Sequence, residues 1–294
     1  MRVTTGMIYS MTTVNITNQY EQMFLMNEKV TSGKRINRPS DDPVDAGKVL
    51  DYRTLIGALD QYKRNVDRGI NLLRYTETAL EIADNVLVDA KTLAEQMATG
   101  TYNETQRTVL AGQAEQLFRQ MLQAANTQIS GRYIFSGFKT DTAAFTADDD
   151  FNVTYHGDAN QIRLTIQQNS TVAVNITGQD AFLDDTNVFT VLRDLRTALR
   201  ENDQAAVGQI LPRIDDAMNQ IVKVRAYVGT SLKELESAQS VLDDVKLNAE
   251  TLLSDTEDTD MADAITKLAE RQMVYEASLK STAMITQLSL VQFV

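Results

Sequence analysis

Cysteine and tryptophan are absent from the 294 residues, histidine occurs once and proline three times. Without cysteine there can be no disulfide, no thiolate nucleophile and no cysteine-ligated zinc. Such a composition suits a chain that must persist outside the cell without a disulfide-forming system. The lone His156 stands beside Gly157 in a turn-like stretch, with no second His or Cys to complete a metal site. Apolar runs are short: none approaches the roughly 20 residues needed to cross a bilayer. Met1 to Ser10 lacks the continuous apolar stretch of a cleaved secretory signal. The expectation is a protein that stays in the cytosol, or leaves it by a route that reads no such signal. Basic charge is also in deficit, with Lys+Arg 28 against Asp+Glu 40 and a net charge of −12, which argues against a phosphate-backbone partner. No Walker loop, dinucleotide fingerprint, G-x-S-x-G elbow or HExxH occurs, so no cofactor is expected.

What the chain has in quantity is heptads, at both ends. Tyr52, Leu59, Val66, Leu73, Leu80 and Leu87 recur every seven residues, and so do Ile214, Ile221, Val228, Leu235, Leu242 and Ala249. A helix with one narrow apolar seam cannot bury it alone, so the two predicted helices pack on each other or on neighbours. The length allows about two domains. The expected fold is mainly α: a long antiparallel helical bundle or coiled coil formed by both chain ends, with a small β-rich insertion. A chain that leaves along one helix and returns along another has its termini at one end, a layout suited to a building block.

Along the chain, Ile16, Tyr20, Met23 and Val30 mark an amphipathic stretch that breaks at Gly33. The methionines of this stretch (Met7, Met11, Met23, Met26) are ordinarily core, though Met also suits interfaces that repack. Asp42 is a plausible N-cap, with Pro43 at the first helical position and Asp45 in the first turn. From about Val44 to Met97 nothing stops the helix, a length of roughly 80 Å. A turn at Gly100-Thr101-Tyr102-Asn103 leads to a third helix with Leu110, Leu117, Met121 and Ile129 inward. The period then becomes two, in Phe151/Val153/Tyr155, Ile162/Leu164/Ile166 and Val172/Val174/Ile176, each a half-buried strand pattern. Fewer than sixty residues make a marginal core, so this insertion needs the helices for support. Helix resumes near Val188. Asn202 or Asp203 caps the next helix, and Pro212 kinks it or marks a restart. After the acidic run from Ser254 to Asp260, a last helix carries Met261, Ile265, Leu268, Tyr275 and Leu279, and runs into Ile285, Leu288, Leu290, Val291 and Phe293.

Few residues invite chemistry. Asp41-Asp42 could be an acid–base pair, but residues ahead of a proline are better read as a cap. The carboxylates of Asp148-Asp149-Asp150 and of 255–260 lack the alternating spacing and distal Glu of a calcium loop and read as solvated. Asn-x-Ser/Thr occurs at Asn15, Asn103, Asn152, Asn169 and Asn175, by chance in a Thr- and Asn-rich chain. No catalytic or metal residues are expected.

One stretch is more specific. Ser32-Gly33-Lys34-Arg35-Ile36-Asn37, leading to Asp41-Asp42, resembles the N-terminal signature of the flagellin superfamily. Leu93 to Thr101 is similar to the end of that family's first long helix. Arg225, Gly229, Leu232 and Glu236 fall on its C-terminal Arg…Gly…Leu-Glu pattern, and Asp258-Thr259-Asp260-Met261-Ala262 looks like the opening of its last helix. The likeness covers both ends, in order. Arg38-Pro39-Ser40-Asp41-Asp42-Pro43, Gly131 to Gly137 and Tyr155-His156-Gly157-Asp158 resemble the members that join hook to filament more than those that build filaments. The ending Leu290-Val291-Gln292-Phe293-Val294 also departs from the filament type.

The resemblance implies a structural, non-enzymatic adaptor between hook and filament, located on the extracellular flagellum after type III export without a cleaved signal. Residues 1–42 and 255–294 would be inner-tube helices, disordered in the monomer. Residues 43–138 and 186–254 would form the long-helix bundle, and 139–185 a β-rich outer domain. The implied partners are hook-associated protein 1, flagellin, copies of itself in a ring and an export chaperone, with no nucleic acid and no membrane insertion. Ser32, Gly33, Arg35, Ile36, Asn37, Asp41, Asp42, Arg225 and Gly229 would serve assembly. Ile16, Tyr20, Met23, Met261, Ile265, Leu268, Tyr275 and Leu279 would form the seam between subunits. The alternatives are flagellin or a minor filament subunit and, from another class, a coiled-coil signalling or translocator protein. If the chain returns to where it left, Lys34, Arg35 and Arg38 meet Asp255, Glu257, Asp258 and Asp260, and exposed pairs of that kind contribute about 0–1 kcal/mol each.

Overall fold

The computed structural model describes residues 5–98 and 104–291, with side chains described from 6 to 98 and from 109 to 284. The expected turn at Gly100–Asn103 and the side chains of Ile285, Leu288, Leu290, Val291 and Phe293 lie outside the described residues. The elements, in order, are α1 (Thr5–Ser32), α2 (Pro43–Ala98), α3 (Glu104–Ala125), β1 (Gln128–Ile129), β2 (Arg132–Tyr133), β3 (Phe145–Ala147), β4 (Val153–Tyr155), β5 (Arg163–Gln167), β6 (Ser170–Ala173), α4 (Gly178–Phe182), α5 (Val188–Arg200), α6 (Gln204–Glu257) and α7 (Met261–Val291). The strands pair as three antiparallel hairpins, β1–β2, β3–β4 and β5–β6. The chain forms two compact units: a terminal unit of Met1–Ala58 with Val245–Val294, and a central unit of Leu59–Asp244.

In the central unit the two heptads become the core. Val66, Leu73, Leu80 and Leu87 on α2 are fully buried, as are Ile214, Ile221, Val228 and Leu235 on α6. Each such side chain contributes about 1.5–3 kcal/mol by leaving water. Polar pairs flank the seam and set its direction: Lys63 with Asp243, Arg74 with Glu236, Arg225 with Asp84, Lys91 with Asp215. Partner numbers fall on α6 as they rise on α2, so the helices run antiparallel. Helix α6 continues through Pro212 without a break. Asp203 caps it, accepting from the Ala206 N–H at 3.0 Å, while Asn202 takes the left-handed φ of +60° just before it.

Helices α3 and α5 pack on each other and carry the insertion. Phe118 of α3 and Phe189 of α5 join Phe135, Phe145, Tyr155 and Phe182 in a cluster with ring centroids 5.0–6.1 Å apart. The hairpins alone could not bury these rings, which accounts for their dependence on the helices. Hairpins begin at Gln128, ahead of the expected 139. Phe151 is not in a strand: it sits at φ +65° in a loop closed by Asp148, which accepts from the Asn152 N–H at 2.7 Å. That turn frees the Phe151 ring to lie 5.0 Å from Phe118, with Arg196 stacked 4.1 Å above it. The partner of β4 is β3, a strand the alternation did not reveal. Hairpin β5–β6 approaches α2 at buried Gly69, where an added Cβ would lie 2.9 Å from Val174 and 2.9 Å from Leu235. The Asn65 amide holds it there, donating to the Thr165 carbonyl at 2.8 Å.

The terminal unit pairs α1 with α7. Tyr20 and Tyr275 meet with ring centroids 5.9 Å apart, and Ala264 is the buried position among the described side chains of α7. Much apolar surface on both helices remains open, including Tyr9, Met11, Phe24 and Met273.

Candidate functional site

The Ser-Gly-x-Arg-Ile-Asn stretch builds a compact linker between α1 and α2. Gly33 closes α1, its N–H donating to the Lys29 carbonyl at 2.9 Å, in the left-handed conformation (φ +72°) that glycine adopts without strain. The Ser32 hydroxyl accepts from the Lys34 N–H at 3.1 Å. Asn37 donates its amide to the Lys34 carbonyl at 3.2 Å. Asp41 accepts the N–H groups of Arg38 at 2.8 Å and Asn37 at 3.0 Å, and these two bonds hold its carboxyl below the usual carboxylate range. Asp42 is the cap of α2, accepting from the N–H groups of Asp45 at 3.1 Å and Val44 at 3.2 Å. The two aspartates therefore do different structural work, Asp41 within the linker and Asp42 at the helix start. Ile36 plugs the linker and is buried.

Arg35 ties this linker to three other places. Its guanidinium donates to Asp45 at 2.6 Å, to Asp42 at 3.3 Å and to the Thr256 carbonyl at 2.8 Å. Arg35 first, then Lys48, pulls the Asp45 carboxyl down to about 2. The Arg35 N–H donates to the Glu257 carbonyl at 2.7 Å, and the Thr259 N–H donates to the Gly33 carbonyl at 2.9 Å. These bonds make Lys34 and Asp258 a single antiparallel β-bridge between the linker after α1 and the linker before α7.

Glu257 sits at the centre of the bridge with its side chain 4% exposed, bound by Lys34 at 2.7 Å and by Arg53. Of the expected meeting of basic and acidic runs, Lys34–Glu257 forms, while the ion pairs of Arg35 are with Asp42 and Asp45 and that of Arg38 is with Glu28. Asp260 instead caps α7, accepting from the Ala262 N–H at 2.9 Å, and Asp258 accepts from Ser254. Asp255 is exposed. Glu257 is expected from sequence only as one carboxylate of the acidic run, and its burial and its partner Arg53 were not legible, because they depend on segments more than two hundred positions apart.

The remaining predicted positions lie elsewhere. Arg225, in the central unit, grips Glu77 at 2.8 Å and Asp84 at 2.9 Å, which raise its already high pKa, Glu77 contributing most. Gly229 has open space around it, and nothing in the structure explains the choice of glycine there. On α1 and α7, Ile16, Met23, Leu268 and Tyr275 are half-buried, while Tyr20, Met261, Ile265 and Leu279 are exposed. Among the described residues no group of three His, Cys, Asp or Glu is arranged to hold a metal, and no described helix is long and apolar enough to cross a membrane.

Two family descriptions match the chain: the bacterial flagellin N-terminal helical region over residues 3–140, and the bacterial flagellin C-terminal helical region over residues 211–294. Flagellar hook-associated protein 3 of Escherichia coli is 28% identical, with 99% of each chain covered. The protein of that name from Salmonella typhimurium is 26% identical, again with 99% of each covered. The crystal structure of flagellar hook associated protein-3 from Legionella pneumophila shares the fold, with a TM-score of 0.64 at 18% identity over 70% of this chain and 98% of that one.

Proposed function

This chain belongs to the bacterial flagellin family, and from that premise we propose that it is the structural adaptor that joins the flagellar hook to the filament. The observation that carries the reading is similarity to two hook-associated proteins 3 over 99% of this chain and 99% of each of theirs. The geometry supports it. Chemical groups gather at the linker junction as caps, bridges and clamps, which hold two chain ends in register, and not as a pocket with a nucleophile and base.

Its neighbours are hook-associated protein 1 on one side, flagellin on the other and copies of itself around a ring, with an export chaperone before secretion through the type III channel. Helices α1 and α7 form the inner-tube layer, where neighbouring subunits cover the apolar side chains left open on them. In a free monomer those ends are labile, so limited trypsin digestion should leave a fragment of about residues 45–250; equal protection of the ends in a monomeric sample would remove this part of the reading. Immunogold labelling of isolated flagella tests the whole. Label confined to the hook–filament boundary is expected. Label along the filament, together with long polymers from purified protein, would make it a filament subunit.

A further inference from the structure

All the sulfur of this chain is in methionine: there are 11 Met and no Cys, so no thiol competes for an oxidant. Among the described residues the exposed methionines all lie on α1 and α7. Met7 and Met11 on α1 and Met273 and Met284 on α7 are between 61% and 70% exposed, and Met261, at the start of α7, is 41% exposed. Met23 and Met26 on α1 are half-buried. In the central unit the pattern reverses. Met97 on α2 and Met121 on α3 are 2% and 0% exposed, and Met218 on α6 packs against the core. Methionine is thus a core residue in the central unit and a surface residue at the chain ends.

Helices α1 and α7 run antiparallel, since Lys34 bridges Asp258 and Tyr20 faces Tyr275. Met11 and Met284 each stand nine residues beyond that ring pair, about 14 Å along the helix, and so share one level of the pair. They share these helices with exposed Tyr9, Phe24 and Val274. Oxygen transfer to a thioether turns a flexible apolar side chain into a polar one. A sulfoxide buried against an apolar neighbour without a hydrogen-bond donor costs free energy, so oxidation opposes burial of this surface.

Resting on the junction reading above, we propose that Met7, Met11, Met261, Met273 and Met284 are sulfoxidation sites that make joining of the unassembled chain sensitive to oxidants. The co-reactant is a two-electron oxygen donor, of which hydrogen peroxide is the simplest. The sulfur lone pair attacks one peroxide oxygen, and the O–O bond breaks as the S–O bond forms. The proton on the transferred oxygen passes to the departing hydroxide, giving water. Sulfur loses two electrons and the peroxide gains them. The sulfurs of Met97 and Met121 are shielded, so the central core is spared. Methionine sulfoxide reductases, one for each epimer, reverse the change.

The test begins with purified full-length protein treated with hydrogen peroxide, its peptides read by mass spectrometry. The five exposed methionines should gain oxygen at least about tenfold faster than Met97 and Met121. Equal rates overturn the proposal. Treated and untreated protein are then offered to flagellar hooks isolated from cells lacking the parent protein, and bound chain is counted by immunogold. Treated protein should bind severalfold less, and the two reductases with a thiol reductant should restore binding. Met7→Leu, Met11→Leu, Met261→Leu, Met273→Leu and Met284→Leu combined in one chain should bind equally with and without peroxide. Reductase rescue decides the matter if that variant misfolds. Undiminished binding of treated protein, loss that the reductases do not restore, or equal loss by the folded variant overturns the oxidation sensitivity while the junction reading stands. Failure of untreated protein to bind hooks overturns both.

Discussion

Removing the Glu257 side chain tests whether the linker bridge is held by one buried carboxylate. Breaking a buried ion pair from one side costs about 3–5 kcal/mol when the remaining charge stays buried. Here the remaining charges are on Lys34 and Arg53, 40% and 49% exposed, and both can turn to water. The cost of Glu257→Ala therefore falls to that of charge-assisted hydrogen bonds, about 1.5–3 kcal/mol. Two kcal/mol corresponds to roughly a 30-fold increase in the open population of the bridge. Two amides report it directly: Arg35, which donates to the Glu257 carbonyl, and Thr259, which donates to Gly33. Hydrogen exchange at neutral pH should accelerate at both by about that factor, while amides of the central unit around Leu80 keep their protection. Glu257→Gln keeps the shape without the charge and should fall between parent and Glu257→Ala. If Glu257→Ala leaves Arg35 and Thr259 as protected as in the parent, the bridge is held by its backbone bonds and the carboxylate is incidental.

Leu80→Ala, at a fully buried seam position, should cost about 2–5 kcal/mol in urea unfolding, against about 0.5 kcal/mol or less for Ile82→Ala, 45% exposed on the same helix; equal effects would discard the seam. Arg225→Lys should destabilise the central unit by about 1–3 kcal/mol, because an ammonium cannot hold Glu77 and Asp84 as the planar guanidinium does; a melting curve unchanged from the parent would refute the clamp. Asp45 is depressed in the folded chain from 3.8 to about 2, so its contribution is complete above pH 4 and is lost as pH falls through 2. An NMR titration of its carboxyl should show a midpoint near the lower value, and a midpoint near 3.8 would mean that Arg35 does not reach it.

Before any coordinates, the heptads reveal which faces of α2 and α6 are buried, because each position repeats a local rule and Leu73, Leu80 and Leu87 need only the opposing seam to obey it. Asp42, Pro43 and Gly33 likewise declare a helix start and stop, since capping depends on atoms within a few residues. The insertion was legible only in part. Val153 and Tyr155 alternate in strand β4, but Phe151, read as its continuation, turns out of it because the Asp148 turn lets its ring reach Phe118. Nothing near Glu257 in the chain distinguishes it from Asp255 or Asp260. The three share an acidic run, yet one is buried between two cations, one is exposed and one caps a helix. Periodicity and caps are short-range properties that a chain carries in its order of residues. The desolvation of a single carboxylate belongs to the tertiary structure, because it exists only when residues 33–35 and 256–259 close on each other.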